Sequence, residues 1–202
     1  MIKVIFFDNG GVLCEEGYTS GIKRYEQEFK IPDGEFYKIV HDHQGWKNYT
    51  LGLISQAEYF ELCQQRSGGH HLDEKKFLDH IGQSIIPNFE LIKYIKELSF
   101  NFDIGIISNN PKEMFEQTIL KIGLGEAIKY KIISCYTHFR KPDKRMFQMA
   151  LDQAGVKAEE SVYVDDRPDR IDGAKELGMQ IIIYKNSLSQ FKNDLQEAIN
   201  KN

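Results

Sequence analysis

Val4-Ile5-Phe6-Phe7 is apolar at every position and stops at Asp8-Asn9-Gly10-Gly11. Such a run offers no face to water, so it reads as a strand covered on both sides, the habit of parallel sheets. We take this strand as Met1–Phe7. Parallel neighbours cannot be joined by a hairpin, so the rest of the chain must supply crossover helices. This commits the fold to strand–helix alternation.

From Pro87 onward that alternation is present. Asn88 is placed to cap a helix with Phe89, Ile92, Ile95 and Leu98 on its apolar stripe. A strand at Asp103–Ile107 leads to a helix begun by Pro111, where the missing N–H costs nothing. Lys131–Ser134 reads as a strand and Asp143–Ala154 as a helix; Ser161–Val164 reads as the next strand. The helix after Pro168 stops at Gly178, and Gln180–Tyr184 and Ser189–Ile199 complete the series. The expected class is α/β, a Rossmann-like parallel sheet with helices on both faces.

Residues 15–87 differ in character. They contain no β-branched run, but show helical spacing at Tyr25–Phe29, Phe36–Val40 and Ala57–Cys63. Ser55 with Glu58 three positions on forms a capping box. This reads as a small all-helical cap inserted into a core made of residues 1–14 and 88–202. The chain of 202 residues carries a formal charge of -4, which argues against a nucleic-acid partner. No apolar run approaches the ~20 residues of a membrane span. Cys14, Cys63 and Cys135 are scattered and form no CxxC pair, so neither disulfides nor zinc are expected and a reducing cytoplasm is the simplest location.

Open parallel sheets place their sites beyond the carboxyl ends of the strands. Those ends carry Asp8, then Ser108-Asn109-Asn110, then Arg140-Lys141-Pro142, then Asp165-Asp166. Read singly, each has an ordinary explanation: a turn acid, an N-cap serine before Pro111, a surface lysine, a solvated acidic pair. Together at successive strand ends they read as one site.

In that order, FFDNGGVL, GIISNN, the lysine of FRKPDKRMF and VYVDDRPDRIDGAKELGM resemble the four motifs of the haloacid dehalogenase-like hydrolases. GLISQAEYF resembles the helical cap of phosphatase-like members. The resemblance covers essentially the whole chain and implies a phosphatase acting on a small phosphorylated metabolite. It makes Asp8 the nucleophile, Ser108 and the backbone beside Asn109 the phosphoryl-binding groups, and Lys141 the cation between Asp8 and phosphate. It places Mg²⁺ between Asp8, the Gly10 carbonyl, Asp165 and Asp166. Two carboxylates 4 Å apart repel by roughly 4 kcal/mol at an effective dielectric near 20, and Lys141 alone leaves a charge deficit.

Two positions depart from the family pattern. Phosphatases of this family carry a second Asp two residues after the nucleophile, as proton donor and acceptor; here that residue is Gly10. Such help is worth roughly 10²–10⁴-fold, so three readings follow. The substrate has a good leaving group, such as a sugar 1-phosphate; or His41, His43 or Glu16 of the cap supplies the proton; or the chain is a weak or inactive relative that binds a phosphorylated ligand. Four residues after Asp166, where relatives carry Asp or Asn, stands Arg170, with Asp169 one place early. Dehalogenases also lack the second Asp, but the acidic pair speaks against that reading. A nucleotide-binding domain would need a GxGxxG or Walker A turn after the first strand.

His41 and His43 are expected on one helix facing different ways, and His70-His71 in a loop, with no metal at any of them. Trp46 and Tyr49 are expected in the core of the cap, and Tyr18 near the entrance of the site. Oligomeric state is not legible in the sequence.

Overall fold

The computed structural model describes residues 1–69 and 71–200, so His70 and the last two positions of the core lie outside the described residues. Strand β1 (Val4–Phe7) is followed by five helices, α1 (Gly17–Phe29), α2 (Glu35–Val40), α3 (Gln44–Thr50), α4 (Gln56–Arg66) and α5 (Glu74–Ser84). Then come α6 (Phe89–Leu98), β2 (Asp103–Ser108), α7 (Lys112–Ile122), β3 (Ile128–Ile133), α8 (Ser134–Thr137) and α9 (Lys144–Ala154). The chain ends with β4 (Ser161–Asp165), α10 (Asp172–Leu177), β5 (Gln180–Ile183) and α11 (Leu188–Asn200).

The sheet is parallel throughout, in the order β3-β2-β1-β4-β5. This is the expected α/β, Rossmann-like fold. β1 is central and all four of its residues are fully buried. Val4 and Phe6 pack on one face with Met146, Phe147 and Ala174; Ile5 and Phe7 pack on the other with Leu91, Ile95 and Phe191. Burying side chains of this size stabilises the fold by about 1.5–3 kcal/mol each. Strand order reverses on leaving β1: β2 and β3 lie to one side, β4 and β5 to the other. The crevice beside β1 is therefore the natural ligand site.

Three local readings need correction. β3 begins at Ile128, three residues before the expected Lys131, and Ser134 already opens α8. β3 is an edge strand with alternating burial, so Lys129 and Lys131 face out, and a search for continuous apolar residues misses its first half. In α6, Phe89 is exposed and Leu91 is buried with Ile92, Ile95 and Leu98. His41 and His43 share no helix: His41 ends α2, while His43 caps α3, its Nδ1 accepting from the Gly45 amide at 3.1 Å.

The five helices between β1 and α6 have a core of their own, built on Tyr25, Phe36, Trp46, Tyr49, Tyr59 and Phe77, with Met114 of α7 packed into it. Ser55 and Glu58 close the capping box that the sequence shows. The chain leaves and re-enters the sheet side by side: Glu15 N donates to Ile86 O at 2.9 Å and Asn88 N to Leu13 O at 2.9 Å. On the far side this block rests on α8, where Ser134 Oγ donates to Thr50 O at 2.5 Å. The three cysteines are buried and free. No helix among the described residues is long and apolar enough to cross a membrane.

Candidate active site

Asp8 stands one residue beyond β1, and its amide donates to Val164 O of β4 at 2.8 Å. Its carboxylate is held on both oxygens: Oδ1 accepts from the Asn9 amide at 2.6 Å and from Ser108 Oγ at 2.9 Å, and Oδ2 faces Lys141 Nζ at 2.8 Å. Ser108 is thus the last residue of β2 bonded to Asp8; the α7 N-cap is Pro111. Lys141 is buried, and besides Asp8 it donates to Asp165 Oδ2 and to Tyr163 OH, each at 2.8 Å. Tyr163 OH in turn donates to Asp165 Oδ2. Asn109 steadies the lysine through its backbone: Lys141 N donates to Asn109 Oδ1 at 2.8 Å and Asn109 Nδ2 to Lys141 O at 3.1 Å. Tyr163 was not legible as a site residue, because it lies mid-strand and only its hydroxyl reaches the cluster.

The sheet brings Asp8, Asp165 and Asp166 together, with one oxygen of each within 4.8 Å of the others. Burial, then the neighbouring Asp8, pushes Asp166 up to about 6. Burial likewise raises Asp8, against the pull of Lys141. Asp166 Oδ1 is buried and has no hydrogen-bond partner. A carboxylate oxygen left so among like charges suits a hard cation that prefers oxygen donors, and the three residues fit Mg²⁺ on that ground. Asp165 is the best satisfied of them: Lys141 and Tyr163 use Oδ2, and the Arg167 amide donates to Oδ1 at 2.8 Å.

The two glycines after Asp8 leave room for two different acids. Gly11 has φ +81°, and a Cβ there would lie 2.3 Å from Asp166 Oδ2. No side chain fits without displacing that carboxylate. A Cβ on Gly10 would lie 3.1 Å from Glu16 Oε1. Glu16 therefore puts its carboxyl where a side chain at position 10 would begin. Glu16 is open to solvent as a residue, but protein packed around its carboxyl, and then Asp8, raise its pKa.

Asp8, Gly10, Ser108, Asn109 and Lys141 line a cavity of about 240 Å³ between the sheet rim and the inserted helices. Tyr18, His41 and Trp46 face it from the helical side, with Tyr18 and Trp46 stacked at 4.0 Å. Trp46 and Tyr49 are also core residues, as expected. His43 does not line this cavity. Burial, then Arg140, lowers His41 to about 4, so it is neutral near pH 7. Arg170 donates to Lys141 O at 3.2 Å, while Asp169 lies outside the triad, mostly exposed and paired with Arg167 at 3.0 Å.

A family model for haloacid dehalogenase-like hydrolases matches residues 2–178. The chain belongs to that family. Among its curated relatives, a glyceraldehyde 3-phosphate phosphatase of Pyrococcus abyssi is 33% identical over 202 residues, covering 92% of this chain and 82% of that one. Flavin mononucleotide hydrolase 1 of Arabidopsis thaliana is 23% identical over 98% of this chain and 79% of its own. The hydrolase also shares its fold with solved structures. A family enzyme of Bacteroides thetaiotaomicron, crystallised with magnesium and inorganic phosphate, superposes with a TM-score of 0.76 at 19% identity, covering 95% of this chain and 99% of that one. A 2-haloacid dehalogenase of Pseudomonas syringae pv. Tomato DC3000 superposes with a TM-score of 0.66 at 20% identity, over 98% of this chain and 99% of that one. Since one fold carries both chemistries, the reaction has to be argued from the site.

Proposed function

We propose that this hydrolase is a phosphatase that cleaves phosphate monoesters of small metabolites through an aspartyl-phosphate at Asp8. The observation that carries the reading is the Asp8–Asp165–Asp166 triad with Lys141 bonded into it and Asp166 Oδ1 unpartnered. A dehalogenase needs the nucleophile and no such concentration of acids. A cavity of about 240 Å³ favours a small metabolite over a nucleotide. The phosphatase names of several relatives support the same class.

In this reading an Asp8 carboxylate oxygen attacks phosphorus and the ester P–O bond breaks. Ser108 Oγ and Lys141 Nζ, which hold Asp8 in the free protein, donate to the phosphoryl oxygens as charge moves onto them. Asn109 acts at one remove, by fixing the Lys141 backbone. Mg²⁺ held by Asp8, Asp166, Asp165 and the Gly10 carbonyl would supply charge neutralisation. The inserted helices, residues 15–87, act as a cap that keeps water from the reacting centre.

Glu16 takes the part that Gly10 cannot. It gives a proton to the departing alkoxide, then as a carboxylate takes one from the water that attacks the phosphoaspartate, releasing inorganic phosphate and free Asp8. Its raised pKa suits both roles. Of the three cap candidates, Glu16 alone reaches toward position 10. A sugar 1-phosphate remains within this substrate class, as an ester whose leaving group asks least of that proton.

The test is phosphate release from a panel of small phosphate monoesters with millimolar Mg²⁺ and with excess chelator. Release that needs Mg²⁺ and falls by at least about 10⁴-fold in Asp8→Asn supports the reading. Release from no ester, or release indifferent to Asp8→Asn, rejects it.

A further inference from the structure

Arg140 immediately precedes Lys141, is half-buried, and lines the cavity above the triad. Among the described residues its guanidinium has no hydrogen bond or ion pair. Burial, then the repulsion of Arg170, lowers the Arg140 pKa to about 10. Arg170 lines the same cavity, and both arginines continue into an adjoining hollow with His41 and Trp46. His41 is neutral near pH 7, and Asp42, which lines the same hollow, makes no ion pair with Arg140. Two guanidiniums therefore share a partly desolvated recess; Arg170 has Asp169 at 3.4 Å, whereas Arg140 has no ion-pair partner among the described residues. Burying a charge without a partner is costly, and a guanidinium presents a planar fork of donors suited to a carboxylate or phosphate.

We propose that the substrate carries a second anionic group, a carboxylate or a second phosphate, which the Arg140 fork binds beside Arg170 while the scissile phosphoryl sits on Lys141. The inference rests on the phosphatase reading and narrows its substrate class to small bis-anionic phosphate esters. The transferred phosphoryl already has Lys141, so Arg140 is free for the distal group. Tyr18 and Trp46, stacked at 4.0 Å on the helical side of the cavity, bound the space between the two anionic ends.

The experiment measures binding by calorimetry to an Asp8→Asn chain with Mg²⁺ present, so that turnover does not intrude. Two matched pairs separate the two anion sources: 3-phosphoglycerate against glycerol 3-phosphate, and propane-1,3-diol bisphosphate against 3-hydroxypropyl phosphate. We expect at least one bis-anionic ligand to bind about tenfold or more tighter than its counterpart without the distal anionic group. Adding Arg140→Met lowers that ratio by about fivefold or more, and Arg140→Lys, which retains the charge but not the fork, lowers it by about threefold. Unliganded Arg140→Met melts no lower than its parent, because it loses no internal partner. Both ratios below tenfold, or a smaller fall in Arg140→Met, overturns the proposal. Phosphate release by the unmodified chain is scored separately, so selective binding without turnover rejects the phosphatase reading and leaves this subsite standing.

Discussion

The floor and the rim of the cavity treat their cations in opposite ways, and two consecutive residues show it. Lys141, on the floor, is buried and bonded to Asp8, Asp165 and Tyr163. Arg140, on the rim, is half-buried beside another arginine and has no ion-pair partner among the described residues. The floor is internally satisfied, except at Asp166 Oδ1, so its charges are already placed before any ligand arrives. The rim is left incomplete. Preorganised charge suits a reaction shared by many substrates, whereas unsatisfied groups suit recognition of one.

Breaking the floor should have the largest effect. Lys141→Met removes the cation from between two buried carboxylates. We expect kcat on any cleaved ester to fall by about 10³-fold and folding stability in chelator to drop by about 3 kcal/mol or more. Steady-state kinetics and urea melts check both. A variant of near-normal stability would show that the floor is not held as described.

Glu16 lies where floor meets rim, and a swap sharpens its assignment. Glu16→Gln should lower kcat/KM of a simple alkyl phosphate by about 10²-fold and of 4-nitrophenyl phosphate far less, since kcat/KM reports the step that forms the phosphoaspartate and a nitrophenolate leaves without a proton. Placing the acid back at its familiar position, as Gly10→Asp with Glu16→Gln, should recover much of the alkyl phosphate rate. The Gln side chain has to yield a few tenths of an ångström to the new Cβ. Equal losses of kcat/KM on both esters would remove Glu16 from protonation of the leaving group.

A smaller effect reads the floor's one unsatisfied atom. Folding raises Asp166 from the usual 3.8 to about 6. Between those values the native state holds a proton that the unfolded chain has lost, so this group's contribution to stability falls as pH rises through that window. In chelator, Asp166→Asn should therefore melt a few degrees above the parent at pH 7, with the gap closing towards pH 4. Millimolar Mg²⁺ should raise the parent at pH 7 and the variant much less. A parent melt unmoved by Mg²⁺ would contradict the proposed metal ligands.

The floor was largely legible in the sequence because strand ends fix it. Asp8, Ser108 and Asp165 follow apolar runs whose termini can be read, and a strand end dictates where the next side chain stands. Lys141 depends on the edge strand β3, whose alternating burial blurred its start, although the lysine itself stood out. The rim was legible only in part, at Tyr18, which was expected near the entrance and lines the cavity. Trp46, His41 and Tyr18 reach the cavity through the packing of three helices, and no periodicity says which face of a short helix meets another domain's surface. Glu16 was only one of three candidates until the space at Gly10 could be measured. Arg140 read as a neighbour of the lysine, since nothing in a sequence reveals that a cation lacks a partner.

The most direct measurement is mass spectrometry of the Asp8 peptide after rapid acid quench of the hydrolase turning over 4-nitrophenyl phosphate. The account predicts one phosphoryl group on Asp8 within the first turnover, at higher occupancy in Glu16→Gln, where hydrolysis of the acyl phosphate is slowed. Ester hydrolysis at full rate with Asp8 never modified in either protein would contradict it.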